Sequence, residues 1–114
     1  MFKIGQTDRF TYPVHVEISG DGGKRQTHTF DATFKRLSRE EFQAMMKAAQ
    51  EGSLEDASVA ADVLLGWKGV QDEHGGDLPF SEENRDALLN VWPVLPAVMS
   101  AFIEAHTPTG RAKN

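Results

Sequence analysis

Cysteine is absent from all 114 residues. That excludes disulfides, thiolate metal sites and cysteine nucleophiles, and it suits a reducing compartment. Long apolar runs are missing as well. No stretch approaches the ~20 residues that a membrane-crossing helix needs. Met1-Phe2-Lys3-Ile4-Gly5 turns polar too soon for the apolar region of a signal peptide. The expectation is a protein without a membrane partner, working in the cytoplasm where it is made. Positive charge is the third scarcity: 12 Lys and Arg face 17 Asp and Glu, a formal charge of −5. Affinity for nucleic acid comes largely from cations that neutralise phosphates, so this balance argues against a nucleic-acid partner. Apolar residues make up 39% of the chain, which points to a small core helped by a partner or by self-association.

What is present fits one domain of α+β class over residues 1–106, followed by a polar tail over 107–114 expected to be disordered. Phe10, Tyr12, Val14, Val16 and Ile18 alternate with polar residues, as do His28, Phe30, Ala32 and Phe34. That period of two marks strands with one buried face. Gly20-Asp21-Gly22-Gly23 between them reads as a hairpin turn. A loop of Asp21-Gly22-Gly23 pairs Val16 with His28, Val14 with Phe30, Tyr12 with Ala32 and Phe10 with Phe34, making one face apolar; a type I turn with a G1 bulge would close it. Pro13 cannot donate to a ladder, which sends its side of the first strand to an edge or bulge. Phe2 and Ile4 are candidates for a further short strand.

About four helices follow. Ser38-Arg39-Glu40-Glu41 is a capping box, flanked by Leu37 and Phe42 at hydrophobic-staple positions, and Gly52 is a natural stop. Ser53 with Asp56 suggests a second cap for a helix over Leu54–Leu65, ended by Gly66. Residues 66–80 read as a long loop, which its own Trp67, Val70, Leu78 and Phe80 should fold back as a fixed plug, with Lys68, Asp72 and Glu73 at the surface. Ser81 caps a third helix. The last carries Val94, Leu95, Val98, Met99, Phe102 and Ile103 at helical spacing, with Pro96 in its first turn or at a kink.

Candidate chemistry is sparse. His15 and His28 point to opposite faces in the favoured register, so they share no metal. His106, at a helix end, suits the helix dipole as a partly positive imidazole. Asp72-Glu73-His74-Gly75-Gly76-Asp77 departs from a calcium loop in its glycine position. Paired carboxylates at 40/41, 55/56 and 82/83 lie in first helical turns, where the dipole accounts for them. No phosphate loop, dinucleotide fingerprint or nucleophile elbow is present. The expectation is a binding protein with no catalytic residues, no metal and no cofactor.

Leu65-Gly66-Trp67-Lys68-Gly69-Val70, Asp72-Glu73, Gly75-Gly76 and Leu78-Pro79-Phe80-Ser81-Glu82-Glu83-Asn84, followed by Leu88-Leu89, form a string that resembles the tail assembly chaperones of long-tailed bacteriophages. The hairpin with Pro13-Val14 and Phe30-Asp31-Ala32-Thr33-Phe34 is similar too; Pro96 departs from the pattern. The resemblance implies a non-virion protein of the bacterial cytoplasm. Such a protein binds the helical tape-measure protein and, through a longer frameshift product, reaches the tail tube protein. The short polar tail would fit the shorter product. An adaptable apolar surface is what a chaperone of helices needs, and methionine provides one. Core packing is nonetheless the commoner use of methionine. Trp67, Val70, Met99, Ala101 and Ala105 are the candidate partner-binding residues, for a client helix or for a homo-oligomer. The other class to weigh is a small structural or tail-completion protein, or an inhibitor or adaptor.

Overall fold

The computed structural model describes residues 7–107; Phe2, Ile4 and residues 108–114 lie outside them. The element order is β1 (Arg9–Ser19), β2 (Arg25–Lys35), α1 (Arg39–Gln50), α2 (Asp56–Val63), β3 (Leu64–Lys68), α3 (Glu82–Leu89) and α4 (Val94–His106). This is the expected α+β arrangement.

The hairpin has the expected register, with Val14 opposite Phe30 and Val16 opposite His28. Its closing turn differs. Gly22 and Gly23 have φ of 71° and 77°, two successive left-handed residues as in a type I′ turn, whereas a type I turn with a G1 bulge has one. The primed turn matches the right-handed twist of the strands, and glycine enters it without a Cβ clash. Gly20 N–H donates to Lys24 O at 2.6 Å, so Asp21-Gly22-Gly23 is the loop within the closing pair.

The sheet has three strands in the order β1-β2-β3. Its third strand corrects the expectation of a helix over Leu54–Leu65 and a loop from Gly66. The helix stops at Val63, Leu64 is extended (φ −87°, ψ 108°), and β3 pairs antiparallel with β2, Trp67 opposite Ala32 and Lys68 opposite Asp31. A register shift at Thr33/Phe34 absorbs one extra residue. Apolar Leu64-Leu65 suits either a helix or a buried strand; pairing with β2 decides for the strand. The cap also differs: Ser53 Oγ donates to Ala48 O at 3.1 Å, closing α1 rather than opening α2, whose N-cap Glu55 makes no side-chain cap bond.

The inner face of the sheet carries Val14, Val16, Phe30, Ala32 and Phe34, all buried against Val59, Ala60 and Val63 of α2 and Val94, Val98 and Phe102 of α4. Thr11, Pro13, His15 and Glu17 on the other face of β1 are exposed. β1 is an edge strand, as Pro13 required. Ala97 and Ala101 of α4 line a small cavity with Pro13 and His15; their short side chains let the helix lie close beside β1. At this contact burial pushes the Tyr12 phenol above its usual range, and the charge and hydrogen bond of Glu104 push it further.

The α1 termini follow their sequence signals. Ser38 Oγ accepts from Glu41 N–H at 3.1 Å and Glu41 Oε1 accepts from Ser38 N–H at 2.9 Å. Gly52 N–H donates to Ala49 O at 3.2 Å and Ser53 N–H to Ala48 O at 3.0 Å, the bond pair of a Schellman ending. No residue of α1 is fully buried. It attaches through Phe42, stacked on the His106 ring at 5.2 Å and tilted against Phe102 at 6.3 Å.

Candidate binding groove

β3 pairs with β2 only from Asp31 to Phe34, so towards its turn the hairpin runs on as two strands. Its inner-face residues there, Val16, Ile18, His28 and Phe30, have no third strand beside them. Two other segments close in instead. After β3, Gly69 (φ 88°) passes against Phe30 and leads into Val70, Gln71 and Asp72. From the opposite side come Leu88 of α3 and Val94 of α4, with Val91 between the two helices. Together they enclose an open groove of about 370 Å³. Val16, Phe30, Val70 and Val94 are buried, while Ile18 and Leu88 are half-buried.

The chain turns through 102° between α3 and α4. At that corner Val91 is 45% exposed and Trp92 is 83% exposed. A large aromatic left in water forfeits burial worth ~1.5–3 kcal/mol, and only these two residues and Met46 are exposed large hydrophobics among the described residues. Trp92 is the functional candidate that sequence reasoning missed. The available signal was an aromatic in the break between two apolar stripes, where neither helical face claims it.

The expected plug is present. Trp67 Nε1 donates to Leu78 O at 2.7 Å, and the Trp67 ring meets Phe80 edge-on at 4.9 Å. Leu78 N–H donates to Val70 O at 2.9 Å, and Gln71 bridges Asp77. Beyond that bridge Asp72 Oδ1 accepts from the N–H groups of His74 and Gly76, each at 2.9 Å. Lys68, Asp72 and Glu73 are exposed, as anticipated. The loop is thus a tied-down wall of the groove.

Of the sequence candidates, Val70, Met99 and Ala101 are buried within the chain, at 9%, 7% and 7% exposure. Trp67 and Ala105 are half-buried. Val70 alone of the five lines the groove. The apolar stripe of α4 faces inward: Val94, Val98, Met99 and Phe102 are core, and Leu95 and Ile103 pack on its margin.

The histidines divide the same way. His15 Nδ1 lies 2.9 Å from Thr29 Oγ1 on the solvated face, and His28 lines the groove. His106 stands in the last turn of α4, as expected. Its Nε2 accepts from Leu37 N–H at 3.2 Å, and its Nδ1 lies 3.0 Å from Phe102 O. Among the described residues no group of three His, Asp or Glu converges as metal ligands would, and no single helix is long and apolar enough to cross a membrane. A second depression is lined by His15, Glu17, Arg25, Thr27, Pro93, Pro96 and Ala97, and its Arg25 is paired with Glu17 at 3.2 Å.

Fold and groove define a small α+β domain with an open apolar cleft beside an exposed tryptophan. The chain belongs to the YdaY prophage protein family, whose model matches residues 22–109. No curated protein and no solved structure matches the chain.

Proposed function

We propose that this prophage protein is a tail assembly chaperone that holds the helical tape-measure protein in the host cytoplasm, acts without catalysis and does not enter the mature virion. The observation that carries this reading is the exposed Val91-Trp92 corner beside an open apolar groove. Tryptophan is among the residues enriched as anchors at protein interfaces, and a groove of this kind suits the apolar face of a helix. Membership of a prophage family supplies the setting, and the loop string from Leu65 to Leu89 supplies the likeness to the chaperones. A longer frameshift product would extend the same grip to tail tube subunits.

Co-expression of the tagged chain with the tape-measure protein of its own prophage tests this. Wild type is expected to co-purify with the tape-measure protein. A Trp92→Ala chain, folded by circular dichroism, is expected to lose most of it. Absence of co-purification by wild type, or presence of the chain in purified virions, would overturn the reading.

A further inference from the structure

We infer that the groove selects a partner segment carrying a basic side chain beside its apolar anchors, and that Asp72 is the carboxylate that makes the selection. This rests on the groove being the client face. Its lining is apolar except for Thr29, Gln71, Asp72 and His28, so Asp72 is the only carboxylate a bound segment would meet inside it. Asp72 is exposed, and so are its neighbour Glu73 and, across the turn, Asp77. None of the ion pairs among the described residues involves these three. Asp72 therefore brings to the groove a negative charge that no Lys or Arg among the described residues pairs with.

The carboxylate is also held in place. Asp72 Oδ1 accepts from His74 N–H and Gly76 N–H at 2.9 Å each, and Asp72 N–H donates to Gly76 O at 2.7 Å. Those bonds fix one oxygen, and among the described residues the other accepts no hydrogen bond, so pairing with a lysine or arginine requires little further ordering of this side. An acidic segment would meet like charge, which discriminates against wrong partners as effectively as attraction favours right ones.

The test uses the full chain and two helical peptides with identical leucine positions at i, i+3 and i+7, one flanked by lysine and one by glutamate. Burial of Trp92 is read as a blue shift in tryptophan emission, with Trp92→Phe assigning the signal. The lysine peptide is expected to bind roughly three- to tenfold more tightly than the glutamate peptide, the preference shrinking as salt rises. Asp72→Asn keeps an oxygen to accept from His74 and Gly76 but removes the charge, and it should bring the two affinities together. Should Asp72→Asn disturb the loop, the salt dependence of the wild-type preference still decides. Equal binding of both peptides, a preference that survives Asp72→Asn in a folded chain, or binding of neither peptide overturns the inference. Tape-measure co-purification that needs Trp92 but not the Asp72 charge would leave the chaperone reading standing while removing this one.

Discussion

The imidazole of His106 accepts the backbone N–H of Leu37 at 3.2 Å, joining the last turn of α4 to the linker that enters α1. The two residues stand 69 positions apart in sequence. The ring is packed among Phe10, Phe42 and Phe102, with centroid distances of 5.4, 5.2 and 4.4 Å. α1 buries no residue fully, and this contact helps fasten it to the domain beside the partly buried Phe42 and Met45. His106→Phe keeps a planar ring in the cluster but orphans the Leu37 amide, and an unsatisfied, partly buried donor costs about 1–3 kcal/mol. A shift of that size in the chemical-denaturation midpoint is expected; an unchanged midpoint would falsify the role.

The capping box makes a second, pH-dependent prediction. Hydrogen bonds from the Ser38 backbone and side chain hold the Glu41 carboxyl below its ordinary range. A depressed folded-state pKa contributes stability above the unfolded value, near 4.3, and that contribution is lost as pH falls through the folded value. Acid titration of the wild type should therefore loosen α1 below about pH 4, seen as helix loss by circular dichroism. Glu41→Ala should start less stable and show a flatter acid slope. Ser38→Ala should lower stability at neutral pH by about 1 kcal/mol.

Amide exchange checks the wall of the groove. Leu78 N–H is bonded to Val70 O at 2.9 Å and should be protected, while Glu73 N–H, which makes no hydrogen bond among the described residues, should exchange fast. Trp67→Phe removes the Nε1 bond to Leu78 O and should speed exchange at Leu78 without unfolding the domain. Leu78 exchanging as fast as Glu73 in the wild type would mean that the plug is not fixed.

Ala101 and Trp92 should behave in opposite ways. Ala101 is 7% exposed and faces β1 beside Pro13 and His15, so Ala101→Glu forces a carboxylate into a close contact. Its expected outcome is loss of cooperative unfolding or a drop of several kcal/mol, in the range seen for buried unpaired charge. Trp92→Ala, at a site 83% exposed, should leave stability within about 0.5 kcal/mol. Thermal melts of the two variants side by side distinguish a core position from a free surface one.

Much of this was legible in the sequence because it is local. Alternation over Phe10–Ile18 and His28–Phe34 sets which face is buried, and the apolar match between the two strands sets the register. The Ser38/Glu41 box, the Gly52 ending and the Ser81 cap act within a single turn of chain. The plug was readable too, since four large apolar side chains within residues 66–80 demand burial. Tertiary structure decided the rest. Leu64-Leu65 suits a helix or a strand equally, and the free edge of β2 at Asp31–Phe34 made it a strand. Met99 and Ala101 looked available for a partner until α4 packed into the domain and buried them. The groove needs a hairpin longer than its third strand, a loop wall and a helix corner, brought together from residues 16 to 94. No sequence period records that meeting, because each segment's pattern reports only which of its own faces avoids water, and never which segment covers it.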